Sequence, residues 1–286
     1  MKILVYGAGV LGSLYAARLH EARHEVTLVA RGEHLTALRE RGVQLAQGDS
    51  PVIRSVPVRV VEHPAGRYDL ILVFVRSHQV DAVLESVANV QGDVVFLLNW
   101  AGGPEPLAAA IGRERVLLGF ANAGGTMDGE VVRYRRDTSL TRFVHMAIGE
   151  LDGQTTPRLE RIMQTFRSAG FAVKVEPRVD AWLKTHAAFE VPLGQAVHAA
   201  GGLEELARDA VALRAMIRLM KRNLAGIPMR PVPAGFSLLL IAPEWMLVGV
   251  FRRFLRSTVA APLSTATPAV LGELDLLAAQ LATIMT

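Results

Sequence analysis

The first twelve residues leave this chain few ways to fold. Residues 2–6, Lys-Ile-Leu-Val-Tyr, are a short apolar, β-branched run that reads as a buried strand. They lead straight into Gly7-Ala8-Gly9-Val10-Leu11-Gly12, a full G-x-G-x-x-G, and then into a helical pattern through Leu14, Ala17, Arg18 and Leu19. In a strand–turn–helix each of these glycines has a separate task. Gly7 turns the chain sharply off the strand, Gly9 offers no Cβ where a pyrophosphate would approach, and Gly12 lets helix and strand pack closely. The first N–H groups of the helix have no intrahelical acceptor and carry the positive end of its dipole, so they suit an anion. Ala8, Val10 and Leu11 fall within the same candidate dinucleotide-binding turn.

The rest of the first half repeats the alternation. Residues 25–30 read as a second strand, followed at once by Arg31-Gly32. About 20 residues past the glycine loop, an NAD site is expected to carry an Asp or Glu for the ribose 2′-hydroxyl. Arg31 instead offers a planar cationic fork to a 2′-phosphate, so the expected cofactor is NADP(H) rather than NAD(H). The alternative for Arg31 is a solvated side chain at a strand end. Helices are expected over 34–41 and 80–87, and strands over 58–61, 68–75, 94–98, 116–120 and 143–148, with a glycine-rich turn at Gly124-Gly125. Strands that are continuously apolar imply a mainly parallel sheet covered on both faces. The expected fold class is therefore α/β, with a Rossmann-type doubly wound sheet. Ligands in such sheets lie beyond the carboxyl ends of the strands, which places Arg76 and Asn99 beside the cofactor.

A helix begins at Thr155-Thr156-Pro157 and runs to Gly170, and residues 171–175 read as a strand. Past Pro177 the alternation stops. Helices are expected over 204–224, 236–256 and 270–285, with a proline-rich loop over 223–233. The expected domains are 1–176, binding the cofactor, and an all-helical 177–286 for substrate and dimerisation.

Hydrophobic residues make up 51% of the 286, enough for packed cores, and the net charge of +4 is dispersed. That favours a small anionic ligand over a nucleic acid. With no cysteine, disulfides, thiolate metal sites and thiol nucleophiles are excluded. The eight histidines are read as surface or hydrogen-bonded residues, and no metal is expected. The apolar stretch 234–251 is interrupted by Pro243, Glu244 and Trp245, and reads as two buried helices rather than a membrane span. No export signal is recognised ahead of the first strand, so a cytoplasmic protein with no membrane partner is expected. The late apolar helices offer a second copy of the chain as a partner as readily as an internal core.

If the first half binds a reducing cofactor, the helical half is expected to supply an acid. Lys184, in Asp180-Ala181-Trp182-Leu183-Lys184, stands beside a tryptophan that could exclude water. Burial beside an apolar wall suits a lysine to general acid–base work. A single lysine on a helix also reads as an ordinary surface residue.

With these residues in place, the chain resembles the ketopantoate reductase family, the NADPH-dependent 2-dehydropantoate 2-reductases, over essentially its whole length. The matching features are the Gly7/Gly9/Gly12 loop, Arg31, Asn99 in the position of the family's L-x-N-G-x-G turn, Trp182-x-Lys184, and Glu273 in Gly272-Glu273-Leu274-Asp275. The resemblance implies a small keto substrate, a place in pantothenate biosynthesis, and Lys184 as general acid. It also implies that Asn99 positions substrate or nicotinamide and that Glu273 orders the closed site. Arg76 stands where the family usually has a cofactor-contacting lysine.

The chain also departs from the family. Two asparagines that follow the family's lysine at i+4 and i+8 are here Ala188 and Pro192, on the same helix face as Lys184. Pro192 predicts a local kink. The family's Ser-rich element before the late Glu is not recognisable over 258–263, Trp100 replaces the glycine after Asn99, and the tail after Glu273 is short. A site stripped of its hydrogen-bonding amides should lose selectivity for ketopantoate. His186 and Gln195 are candidate replacement donors. The expected activity is reduction of a ketone or 2-keto acid. The alternative is a non-catalytic NADP(H)-binding sensor on the same fold.

Overall fold

A computed structural model describes residues 1–121, 124–135, 145–257, 259, 260, 263 and 267–285. The chain packs as two units. One holds Met1–Val75, Gln79–Leu98 and Pro104–Val179; the other holds Arg76–His78, Asn99–Gly103 and Asp180–Thr286.

The first unit is built around β1 (Lys2–Tyr6), which pairs in parallel with β2 (Glu25–Val29) on one side and β6 (Arg67–Val73) on the other. β5 (Arg59–Val61) extends the β2 side; β7 (Gln91–Leu97) and β8 (Val116–Phe120) extend the β6 side, all in parallel. β11 (Met146–Glu150) joins β8 antiparallel, and β12 (Val173–Val175) completes the order β12-β11-β8-β7-β6-β1-β2-β5. The expected strand over 143–148 thus starts at Met146, and residues 143 and 144 lie outside the described residues.

Both faces of this sheet are covered. Ile3 and Val5 join one apolar core with α1 (Val10–Glu21) and α5 (Pro157–Ser168). Tyr6 points the other way and bonds Ser86 on α3 (Val80–Ala88) at 2.9 Å. This explains the unbroken apolar runs: a strand with helices on both faces has no solvent side to be polar on. β1 is flanked by β2 on one side and β6 on the other, so the chain leaves it where the connections diverge, the usual place for a ligand crevice.

A second, four-stranded sheet was not anticipated. β3 (Val43–Gln47), β4 (Arg54–Val56), β9 (Gly125–Asp128) and β10 (Val131–Tyr134) lie in the order β4-β3-β10-β9. Its central pairing joins β3 to β10 in parallel across a long stretch of sequence, and its strands are too short to show a period. Gly125, expected in a turn, opens β9 instead. A Cβ there would lie 2.4 Å from the Arg133 carbonyl and 3.1 Å from Cγ1 of Val10, so this strand packs tightly against the start of α1.

The helical unit holds α6 (Val179–Ala200), α7 (Leu203–Arg208), α8 (Ala210–Gly226), α9 (Ser237–Ile241), α10 (Glu244–Leu255) and α11 (Pro268–Ile284). The expected helix over 204–224 is divided at Asp209, whose carboxylate accepts the N–H groups of Val211 and Ala212 and starts a new helix. α8 then continues to Gly226, inside the expected loop. The helix expected over 236–256 is divided at Ala242-Pro243, where the proline supplies no N–H to continue it. These segments were read as buried, and the structure corrects this: Leu238, Ile241 and Trp245 are well exposed. The disturbance expected at Pro192 does not interrupt α6. Among the described residues, no helix is long and apolar enough to cross a membrane.

Candidate functional site

The glycine turn is shaped by what cannot fit into it. Gly7 has φ +96°, and a Cβ on it would lie 2.7 Å from the Phe74 carbonyl, just past β6. A Cβ on Gly12 would lie 1.8 Å from the carbonyl of Gly7 itself, so only glycine lets α1 start this close to the strand it leaves. Gly9 is the opposite case: a Cβ there meets nothing within 4 Å. Gly9 also caps α1 without any side-chain hydrogen bond, and the first backbone bond to it comes from Ser13 at 3.0 Å. The N–H groups of Val10, Leu11 and Gly12 precede that bond and have no intrahelical acceptor. The turn therefore fits a group that is anionic and close to the backbone.

Two residues not singled out from sequence hold this turn. The Ala8 carbonyl accepts from Ser13 Oγ at 3.1 Å and from His34 Nε2 at 2.8 Å. His34 lies on α2 (Gly32–Arg41), the helix that Arg31 caps. One imidazole thus ties the glycine turn to the end of β2, with Arg31 between them in sequence and exposed. Arg31 also lies near enough to Tyr6 to oppose, in small part, the rise in the phenol's pKa caused by burial. A histidine four residues past an expected strand end was the only sequence signal for this tie.

The sequence holds one further histidine pattern, His20-Glu21-Ala22-Arg23-His24, with the spacing of a zinc-binding helix. α1 ends at Glu21, however, and Arg23 turns the chain at φ 69°. His24 is then held by the Met1 amine at 3.2 Å and the Ser168 hydroxyl at 3.0 Å. Burial and the neighbouring amine lower its pKa. No group of three metal-binding side chains occurs among the described residues.

In the helical unit, Arg76 and Glu273 form one pair. Arg76 Nη1 donates to Glu273 Oε2 at 2.8 Å, and the Ser77 amide donates to Oε1 at 3.3 Å. Burial pushes the Glu273 carboxyl above its ordinary value; Arg76 and the Ser77 amide pull it partly back, and the nearby Glu190 carboxylate pushes the other way. Asn99 sits in a turn held by Trp100 Nε1, which donates to the Gly103 carbonyl at 2.6 Å, and by the Ala101 amide, which donates to Gln280 Oε1 at 2.9 Å. Trp100, out of pattern in the sequence, thus closes this turn with its own ring. Asn99 Oδ1 is buried, with no hydrogen-bond partner among the described residues. It is an acceptor awaiting a donor.

Lys184 is buried on α6, its side chain 9% exposed, and its Nζ donates to Asp180 Oδ2 at 2.6 Å. Ala188 and Pro192, one and two turns on, are also buried, and Ala188 belongs to the apolar core with Val191 and Leu274. The half-buried side of α6 instead carries Trp182, His186 and Glu190 at four-residue spacing. Trp182 stacks on His186 with centroids 5.2 Å apart, and His186 Nε2 faces Glu190 Oε2 at 2.8 Å, without the alignment of a hydrogen bond. Gly194 lets α11 come close at this level, since a Cβ there would lie 2.8 Å from Leu274. That approach brings Glu190 within electrostatic reach of Glu273. The part of the 258–263 segment at 258, 261 and 262 lies outside the described residues.

Known proteins give this geometry a context. A family model described as "Ketopantoate reductase PanE/ApbA" matches residues 3–151. A 2-dehydropantoate 2-reductase of Pyrococcus horikoshii is 27% identical over 184 residues, 64% of this chain and 58% of that protein. The match spans under two thirds of that relative's length. The solved 2-dehydropantoate 2-reductase of Porphyromonas gingivalis superposes with TM-score 0.69 at 18% identity, covering 97% of this chain and 99% of that one. D-mandelate dehydrogenase, solved with NADH and anilino(oxo)acetate, gives TM-score 0.70 at 15% identity and covers both chains fully. These two likenesses establish the fold: a mainly parallel α/β sheet followed by a helix-rich region.

Proposed function

Because this chain belongs to the ketopantoate reductase (PanE/ApbA) family, we propose that it is an NADPH-dependent reductase of a 2-oxo acid. Residues 1–176 would hold the cofactor, and residues 177–286 the substrate and a second copy of the chain. The observation that carries this reading is the clear space over Gly9, framed by two glycines that admit no side chain and by an uncapped helix start. Bound NADPH would supply hydride to the carbonyl carbon.

The protein's own groups have separate parts. The amides of Val10, Leu11 and Gly12 would hold the pyrophosphate, and Arg31 the 2′-phosphate. Asn99 Oδ1 would accept from an N–H of the nicotinamide amide or from a substrate hydroxyl. Glu273 would fix the direction of Arg76, which stands where the family has a cofactor-contacting lysine. Lys184 would give the proton from Nζ to the carbonyl oxygen as the carbon becomes an alcohol, while Asp180 holds the side chain in place. Two relatives' names frame the substrate: reductases of 2-dehydropantoate, and a D-mandelate dehydrogenase solved with anilino(oxo)acetate. With Ala188 and Pro192 supplying no amide, a 2-oxo acid with an apolar substituent fits better than one needing its hydroxyl bonded.

The test is a panel of 2-oxo acids, ketopantoate and aromatic ones included, followed by loss of NADPH absorbance. Turnover of at least one, with no preference for ketopantoate, is expected. Tight NADPH binding with no carbonyl compound reduced would overturn the enzyme reading and leave a cofactor sensor. Growth of a pantothenate auxotroph carrying this chain would restore ketopantoate as the substrate.

A further inference from the structure

We infer that an arginine-lined cavity at the amino ends of β6 and β7 is a second ligand site, one that takes a phosphate monoester with a hydroxylated body. It lies at the opposite end of the sheet from the glycine turn, which follows the carboxyl end of β1, and it does not depend on the proposed reaction.

The sheet makes room at this end. Ile3 of β1 pairs with Leu70, so the first residues of β6 extend past the start of β1. There the pairing of β6 with β7 slips: Arg67 faces Gln91 but Leu70 faces Asp93, so β6 carries one residue more than β7 between them. A bulge of this kind re-aims the side chains beside it. Gly92, at φ +143°, permits the close approach, since a Cβ there would lie 2.5 Å from the Tyr68 carbonyl. Beside the bulge is a cavity of about 630 Å³, lined by Arg67, Arg115, Arg158 and Arg161 together with Asp69 and Asp93. That is the size of a small-molecule site, and an inorganic anion would fill only a small part of it.

The charges lining the cavity do not cancel. Arg158 is matched, because it donates to Glu150 Oε1 at 2.7 Å and to Asp93 Oδ1 at 3.0 Å. Arg115 is held but not matched: it donates to the carbonyls of Gly92 at 3.0 Å and Ile111 at 3.3 Å, and no carboxylate pairs with it among the described residues. The guanidiniums of Arg67 and Arg161 are exposed and have neither a hydrogen bond nor an ion pair among the described residues. Against these three stands Asp69, which leaves an excess of two positive charges. Such an excess gathered in a concave site attracts a dianion, and guanidinium forks bind phosphate oxygens two at a time. A phosphate monoester carries about two negative charges at neutral pH.

The carboxylates specify the rest of the ligand. Asp69 accepts the Lys2 amide through Oδ2 at 2.7 Å, and Asp93 takes Arg158 through Oδ1, so one oxygen of each has no partner among the described residues. Those oxygens accept from hydroxyl groups and repel a second anionic group. A sugar phosphate offers them hydroxyls, whereas a polycarboxylate offers them only like charge.

The probe is glucose 6-phosphate, titrated calorimetrically into the full chain at low salt, with glucose, citrate and inorganic phosphate in parallel. Glucose 6-phosphate should bind at millimolar concentration or below, more tightly than citrate or inorganic phosphate, and glucose should not bind. The double variant Arg67→Gln, Arg161→Gln should weaken binding roughly 10–100-fold, the worth of charge-assisted bonds, while Arg59→Gln, at an exposed position that opens β5, should leave it unchanged. Neither guanidinium has a partner to lose, so the double variant should melt with wild type, which separates lost binding from lost folding. Absence of binding, binding that citrate or inorganic phosphate equals, or binding that survives the double substitution would overturn the inference. Displacement of the probe by NADPH would overturn it too, because it would place the sugar phosphate at the glycine turn.

Discussion

The glycine turn and the Lys184 stretch of α6 each have a part in the proposed reaction, yet they are specified in different ways. At the turn the determinant is missing volume. Gly7 and Gly12 are each held against a backbone carbonyl that a methyl group would strike, and Gly9 opens onto empty space. On α6 the determinants are side chains with partners: Lys184 on Asp180, His186 between Trp182 and Glu190. A turn made of backbone cannot change its chemistry without changing its fold. A helix face can exchange amides for Ala188 and Pro192 and remain a helix. The first region therefore fixes the kind of cofactor, and the second leaves the substrate to be set by individual residues.

The sharpest way to break this contrast is within the turn. Gly12→Ala places a Cβ 1.8 Å from the Gly7 carbonyl, so the turn must move or the unit must open. We expect a loss on the order of 4 kcal/mol in urea unfolding, the range reserved for such clashes. Gly9→Ala adds the same atom where nothing touches it, so its melting temperature should stay near wild type while NADPH affinity falls by roughly 100-fold, the phosphates being displaced. Equal stability for both variants would show that the turn is not the rigid cradle described.

On α6 the expected effects are large in rate and modest in stability. Lys184→Ala should lower kcat by about 10²–10⁴-fold, the usual contribution of a positioned acid, with NADPH affinity unchanged. It also leaves Asp180 half-buried without its cation, at a cost of about 1–3 kcal/mol. Adding Asp180→Asn should restore much of that stability and none of the rate. Recovery of turnover in the double variant would remove Lys184 from the chemistry. A smaller effect is expected at Arg31: Arg31→Ala should weaken NADPH by roughly 10–100-fold, the worth of a charge-assisted bond, and leave NADH nearly unchanged. A parallel loss of both would mean that Arg31 holds the turn rather than the 2′-phosphate.

How much of this was legible in the sequence follows the same division. The parallel sheet could be read because strands covered on both faces show as unbroken apolar runs, and the glycine turn because its requirement is local. The small sheet could not, since β3 pairs with β10 across a long stretch of sequence and neither short strand names its partner. The interruption at Pro243 was legible as a division between two helices, whereas at Asp209 the apolar periodicity on either side concealed the break. The exposure of Trp245 runs against composition altogether: an apolar residue in an apolar stretch reads as core until the fold shows which side it is on. Within the site, Lys184 was singled out from its place beside Trp182 and then matched by resemblance, and Glu273 was found through resemblance alone. His34 and the His186–Glu190 pair were legible only in space, because each depends on a partner that no motif names.

The Arg76–Glu273 pair gives the smallest of the expected effects and the one most specific to this geometry. Burial holds the Glu273 proton more tightly in the folded chain than in the unfolded one, whose carboxyl titrates near 4.5, even with Arg76 and the Ser77 amide working against burial. The folded state binds the extra proton, so the contribution of Glu273 to stability is complete below the unfolded value and is lost as pH rises through the folded one. Glu273→Gln removes the titration, and its stability should fall less steeply than that of wild type from about pH 4 to pH 7. Arg76→Ala does the reverse: without the guanidinium, burial and the Glu190 carboxylate act unopposed except by one amide. The carboxyl rises further, and the loss of stability should extend to higher pH. Urea unfolding of the three proteins across that range should therefore give three slopes, with wild type in the middle. Identical slopes for wild type and Arg76→Ala would mean that Arg76 does not govern the charge on Glu273, and the shared role proposed for the two would fall with it.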